Sequence, residues 1–93
     1  MRFNPGDFVH VWNGTHDEIY KVYSTPRRWG DMDNPISGQW VLLVEDSNGE
    51  VKLVYGAHIY RHIPKDKLYE PGYRPAEDLM KRIIQFEEEY HEN

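Results

Sequence analysis

Arg27, Arg28 and Trp29 stand side by side in the stretch STPRRWGDMDNPISG (residues 24–38), between two apolar runs. A flat indole beside two planar guanidinium groups can stack on a base, grip a phosphate or anchor in a protein groove. The same residues can also serve the fold, with Trp29 laid over an open end of the core and Arg27 or Arg28 paired with Asp31 or Asp33. Both readings stand at the level of sequence. The connection of 14 residues (25–38) is longer than most strand connections, and loops of this length are often functional.

Other residue types capable of chemistry are more scattered. His58 and His62 are four apart, a spacing that suits a metal on a helix. Their segment reads as turn passing into strand, where four residues span about 13 Å. His16, Asp17 and Glu18 are adjacent potential ligands, but in a turn solvation explains them. There is no nucleophile elbow, no phosphate-binding Gly-rich loop and no Ser/His/Asp set with recognisable spacing. The pattern predicts no enzyme, no metal site and no cofactor.

Composition narrows the class. The chain has 93 residues, enough for one domain. It is 39% hydrophobic and 14% aromatic, too apolar for a disordered chain. It has no cysteine, so disulfides and thiolate metal sites are excluded. The longest apolar run, WVLLV, is far too short to span a membrane, and MRFNPGD lacks the apolar core of a signal peptide. A soluble, cytoplasmic protein without membrane contact is expected. The net charge of −5 argues against a generic binder of nucleic-acid backbones, though a local basic patch remains open. The acidic end EEEYHEN (87–93) reads as solvated or as a patch for a basic surface.

The elements that must position these residues follow from periodicity. PGDFVHVW (5–12) is a Pro-Gly turn followed by strand-type alternation, and EIYKVYS (18–24) is a second strand. QWVLLVE (39–45), apolar on both faces, reads as a central strand. DSNG (46–49) is a tight turn, EVKLVY (50–55) the returning strand, GAHI (56–59) one helical turn and YRHI (60–63) a last short strand. A charged, Pro- and Gly-rich linker follows (65–74). Pro75 suits a first helical position, and Leu79, Ile83, Phe86 and Tyr90 form one stripe of an amphipathic helix from about 75 to 91.

This layout resembles the SH3-like small β-barrels, the superfamily of SH3, KOW and Tudor-type domains. PGDFVHVW matches the first strand, QWVLLVEDSNGEVKLVY the central hairpin, and GAHIYRHI the closing turn and strand. The chain has neither the Ala-Leu-Tyr-Asp-Tyr stretch nor the Trp-Trp pair of signalling SH3 domains, so recognition of Pro-rich peptides is not implied. The resemblance leans to the KOW and Tudor-type branches. It implies a mostly β fold: a five-stranded SH3-like barrel (1–64), the linker, and one C-terminal amphipathic α-helix (75–93) packed on the barrel or on a partner.

Within such a barrel Val9, Val11, Val22, Leu43, Val51, Leu53 and Ile59 are expected to form the core. Trp12, Tyr23 and Tyr60 then belong to an outer patch, covered by the helix or by a partner. Three roles fit. One is a small non-catalytic protein-binding module, in size and style like a phage-type inhibitor or adaptor of a host protein. Its anchors would be Arg27, Arg28 and Trp29, aided by Trp12, Tyr23 and Tyr60. A second is a KOW-like nucleic-acid-binding barrel using the same loop. The third is a structural homodimer built through the helix stripe Leu79, Ile83, Phe86 and Tyr90.

Overall fold

The computed structural model describes residues 3–12, 14–25, 27–28, 40–72 and 75–90, with Arg27 and Arg28 described by backbone alone. Trp29 lies outside the described residues.

The chain is mostly β, with one antiparallel sheet followed by a single helix. Strand β1 spans Phe8–Trp12, β2 Asp17–Val22, β3 Arg27–Arg28, β4 Trp40–Glu45, β5 Val51–Tyr55 and β6 Ile59–Ile63; helix α1 spans Glu77–Glu89. The main strands run in the order β6-β1-β2-β4-β5, and the two-residue β3 continues the β2 side of β4. The β4–β5 hairpin is built by its turn. Asp46 Oδ1 accepts the Asn48 and Glu50 N–H groups at 2.9 and 3.0 Å, and Gly49 supplies the φ of +80° that a side chain would resist.

Each face of the sheet carries its own core. On one side Phe3, Val9, Val11, Val22, Leu42 and Val44 are buried together, with Tyr20, Trp40, Val54 and Ile59 packed against them. On the other, α1 lays Met80, Ile83 and Phe86 on Phe8, Ile19, Ile63 and Leu68. Phe8 meets Phe86 edge-on at 5.5 Å between ring centres. Leu68, in the stretch read as linker, is thus part of the second core. Alternation in β1 explains the division, since Val9 and Val11 point one way and Phe8 the other.

Two expectations are corrected. The sheet does not close into a barrel: among the described residues, β5 pairs only with β4 and β6 only with β1. The three-residue 3-10 turn Gly56–His58 carries the chain away from β5, and β6 spends one edge on β1 through an irregularity at His10/Val11. The expected core is also only half correct. Val9, Val11 and Val22 are buried and Ile59 packs against them, but Leu43, Val51 and Leu53 lie on the opposite face. In β4 it is Trp40, Leu42 and Val44 that turn inward.

The 3-10 turn fixes one residue type. A Cβ on Gly56 would lie 2.1 Å from Cε2 of the Trp40 ring. Gly56→Ala is therefore expected to push Trp40 off the inner core and cost about 2 kcal/mol, read as a lower urea midpoint and altered tryptophan emission.

Candidate functional site

The helix covers only part of its face of the sheet. Near its middle Arg82 reaches the beginning of β2, where Nη1 donates to Asp17 Oδ2 at 2.8 Å and Nη2 to the Asp17 carbonyl at 3.0 Å. The helix ends where the Tyr90 hydroxyl donates to Glu45 Oε2 at 2.8 Å, with Lys21 Nζ 4.2 Å above the Tyr90 ring. Glu45 is opposite Val51 in the β4–β5 ladder, and the rows beyond it on this face are Leu43–Leu53 and Val41–Tyr55. Past the end of β2, Tyr23 N–H donates to the Leu43 carbonyl at 2.8 Å. Alternation then places Tyr23 on the same side as Ile19 and Lys21.

The result is an open apolar face just beyond the helix end. Tyr23 is 51% exposed, Val51 43%, Leu53 42% and Tyr55 39%, with Leu43 half-buried among them. Lone exposed apolar side chains are ordinary, but a contiguous group on one rigid sheet face marks an interaction surface. Arg27 stands opposite Val41, which in turn stands opposite Tyr55, so the basic segment borders this face; Arg28 stands opposite Trp40.

The other expected site residues are placed elsewhere. Trp12 and Tyr60 are exposed near the far end of the β1–β6 ladder, with the Tyr60 ring 5.3 Å from that of His10. Tyr23, extending past the Lys21 that faces Phe8, sits toward the opposite end of β1, so the structure does not join it to Trp12 and Tyr60. Ile83 and Phe86 are buried against this chain's own sheet, with Leu79 and Tyr90 packed beside them.

The titratable clusters brace the fold. His10 Nε2 meets Asp17 Oδ2 at 2.5 Å; that contact and the Arg82 guanidinium hold the Asp17 carboxyl far below the usual carboxylate range. His16 pairs with Glu18 in the adjacent turn. His62 donates to the buried Asp7, while His58 lies edge-on to Tyr55 at 6.0 Å, so the two histidines serve different neighbours. A hollow of about 180 Å³ beside Arg82 and Phe86 is lined by Glu18, Asp46, Ser47 and Glu89 among others.

Sequence reasoning missed Leu43, Val51, Leu53 and Tyr55 as surface residues. Charge gives no signal here, because Glu45 stands opposite Val51 on this face and Lys52 stands opposite Val44 on the other, so each row holds one charge.

The described residues define a class: a helix-backed antiparallel β domain whose sheet does not close, with a group of exposed apolar side chains on one sheet face. Comparison of the chain with family models, curated proteins and solved structures finds no match.

Proposed function

We propose that the chain is a small non-catalytic module that binds a protein partner across the open face formed by Tyr23, Leu43, Val51, Leu53 and Tyr55. The observation that carries this reading is the joint exposure of these side chains on one sheet face at the end of the helix footprint. Tyrosine and aliphatic side chains on a rigid scaffold supply contact area at low entropic cost. Strand β3, with Arg27 in register with Val41, borders this face. The strand order β6-β1-β2-β4-β5, with the last strand beside the first, supports an SH3-like reading of the domain. A nucleic-acid role is the weaker reading, because the exposed side chains of this face are apolar or tyrosine and the chain carries a net charge of −5.

Tyr23→Ala and Tyr60→Ala separate the alternatives. Both side chains are exposed, so both variants should keep the wild-type melting curve. In affinity capture from nuclease-treated lysate of the source cells, Tyr23→Ala is expected to reduce the retained partner about tenfold or more, and Tyr60→Ala to leave it unchanged. Capture should persist in 0.5 M salt. Equal capture by both variants overturns the reading. Loss on Tyr60→Ala alone moves the site to the Trp12–Tyr60 end. Salt-sensitive retention of nucleic acid, lost on Arg27→Ala with Arg28→Ala, favours the KOW-like role.

A further inference from the structure

Strand β5 carries more than an apolar face. Asp46 N–H donates to the Glu50 carbonyl at 3.0 Å at the mouth of the hairpin. Bonded pairs in an antiparallel ladder recur at every second residue, so Val44–Lys52 and Leu42–Val54 are the bonded pairs of β4 and β5. The β2 side agrees, because the Leu43 carbonyl is already taken by Tyr23. The N–H and C=O groups of Val51 and Leu53 therefore point away from β4. Among the described residues β5 pairs with β4 alone. Its sequence, VKLVY, has one charge, no proline and an exposed apolar face. Natural sheets rarely leave such an edge unguarded.

We propose that the β5 edge pairs with β5 of a second copy, and that the partner-binding face is a composite of the two chains. This inference rests on the reading of that face as the working surface. The register follows from charge and parity. An antiparallel pair about a two-fold axis perpendicular to the sheet keeps each residue on its own face, so only residues of like parity can meet. Centring the axis on Lys52 sets two ammonium groups directly opposite, which is unfavourable. Centring it on Leu53 pairs Leu53 with the partner's Leu53 through two N–H···O bonds. Val51 then stands beside the partner's Tyr55, a favourable β-branched–aromatic pair, and Lys52 faces the partner's Val54. All five strand residues are used and no like charges meet.

Such an edge contact leaves the sheet faces uncovered. The two-fold axis brings both copies of Tyr23, Leu43, Val51, Leu53 and Tyr55 to the same side of one continuous sheet. Each apolar face then extends into the other. The surface offered to a partner doubles, and it is two-fold symmetric. A five-residue strand pair is a small interface, so a dissociation constant of roughly 0.1 mM is expected. Each copy carries a net charge of −5, so added salt should strengthen the dimer by screening repulsion.

Sedimentation equilibrium of the full chain from 10 µM to 1 mM, in 0.05 and 0.5 M NaCl, tests this. The wild type is expected to shift from monomer to dimer with concentration, and further at high salt. Leu53→Lys and Leu53→Glu place like charges opposite each other at the axis, so each alone should remain monomeric. Leu53 is exposed, so both should keep the wild-type circular dichroism and melting curve. Mixing the two in equal amounts should restore the dimer, because Lys then faces Glu across the axis. A wild type that stays monomeric to 1 mM, variants that dimerise as well as the wild type, or a mixture that fails to recover, each overturn the proposal. Tyr23→Ala keeps the two readings apart, since it lies away from the axis and should weaken partner capture while leaving dimerisation intact. Partner loss in Tyr23→Ala with a strictly monomeric wild type keeps the binding face and removes the dimer.

Discussion

Ile83→Glu is expected to abolish cooperative unfolding and leave an expanded chain, whereas Ile84→Glu, one residue later, should melt within a few degrees of the wild type. Ile83 is 1% exposed and sits among Phe8, Ile19, Ile63, Leu68, Met80 and Phe86. Truncating such a side chain to alanine typically costs about 2–5 kcal/mol in lost transfer energy and cavity formation. A domain of this size has a total stability at the low end of about 5–15 kcal/mol. Glutamate adds the burial of a charge for which that apolar cluster offers no partner. Ile84 is 42% exposed, and its replacement removes little buried surface. Thermal circular dichroism with size-exclusion chromatography reads the difference. The pair of variants also discriminates between two uses of the helix stripe. If the stripe joined two chains, Ile83→Glu would yield a folded monomer. With the stripe spent on this chain's own sheet, it yields an unfolded one.

That stripe was among the most legible features of the sequence. Leu79, Ile83, Phe86 and Tyr90 recur with helical spacing, and no other segment of the chain does this. The observed helix is shorter than its periodicity, running Glu77–Glu89, because Ala76 offers no side-chain cap and the last turn holds no basic residue. The Asn48–Gly49 turn was equally plain, since few dipeptides accept its backbone. Strand parity was less legible. WVLLV is apolar at every position, so alternation gives no phase, and Leu43 was assigned to the wrong side. The phase is set at a distance, by Trp40 packing on the inner core and Glu45 meeting Tyr90 at the helix end. Barrel closure depends on where the edges of β5 and β6 end up, and no local pattern encodes that. Strand β3 is two residues long and leaves no periodic trace. The candidate face was hidden for the same reason as the parity. Tyr23 was visible as a surface aromatic, but its neighbours Val51 and Leu53 looked like core.

Asp7→Ala is expected to cost about 3 kcal/mol or more, although the sequence shows Asp7 only as part of a Pro-Gly-Asp turn. The residue is 3% exposed, and its carboxylate has three donors. Oδ1 accepts the Lys65 N–H at 3.0 Å; Oδ2 accepts the Asn4 N–H at 3.0 Å and His62 Nε2–H at 2.7 Å. One side chain thus ties the N-terminal turn, β6 and the turn after it, across 55 and 58 residues of sequence. Alanine leaves all three donors without an acceptor in a buried setting, and each orphaned group costs about 1–3 kcal/mol. Asp7→Asn should lose less, because its amide oxygen still accepts one N–H and its NH2 can face an imidazole that has changed tautomer. The pH dependence has a definite sign. Burial pushes the Asp7 carboxyl up, but the bonds from Lys65, His62 and Asn4 outweigh it, so its pKa lies below the ordinary value. A depressed carboxylate contributes stability that is fully present above its unfolded pKa of about 3.9 and is lost as the pH falls through the folded value. The gap in unfolding free energy between wild type and Asp7→Asn should therefore narrow as the pH falls below about 4. Asp17 titrates in both proteins, so its contribution cancels in that difference. Urea melts of the two proteins across this range measure it, and a gap that stays constant below pH 4 would mean that the Asp7 carboxylate is not what holds the three segments together.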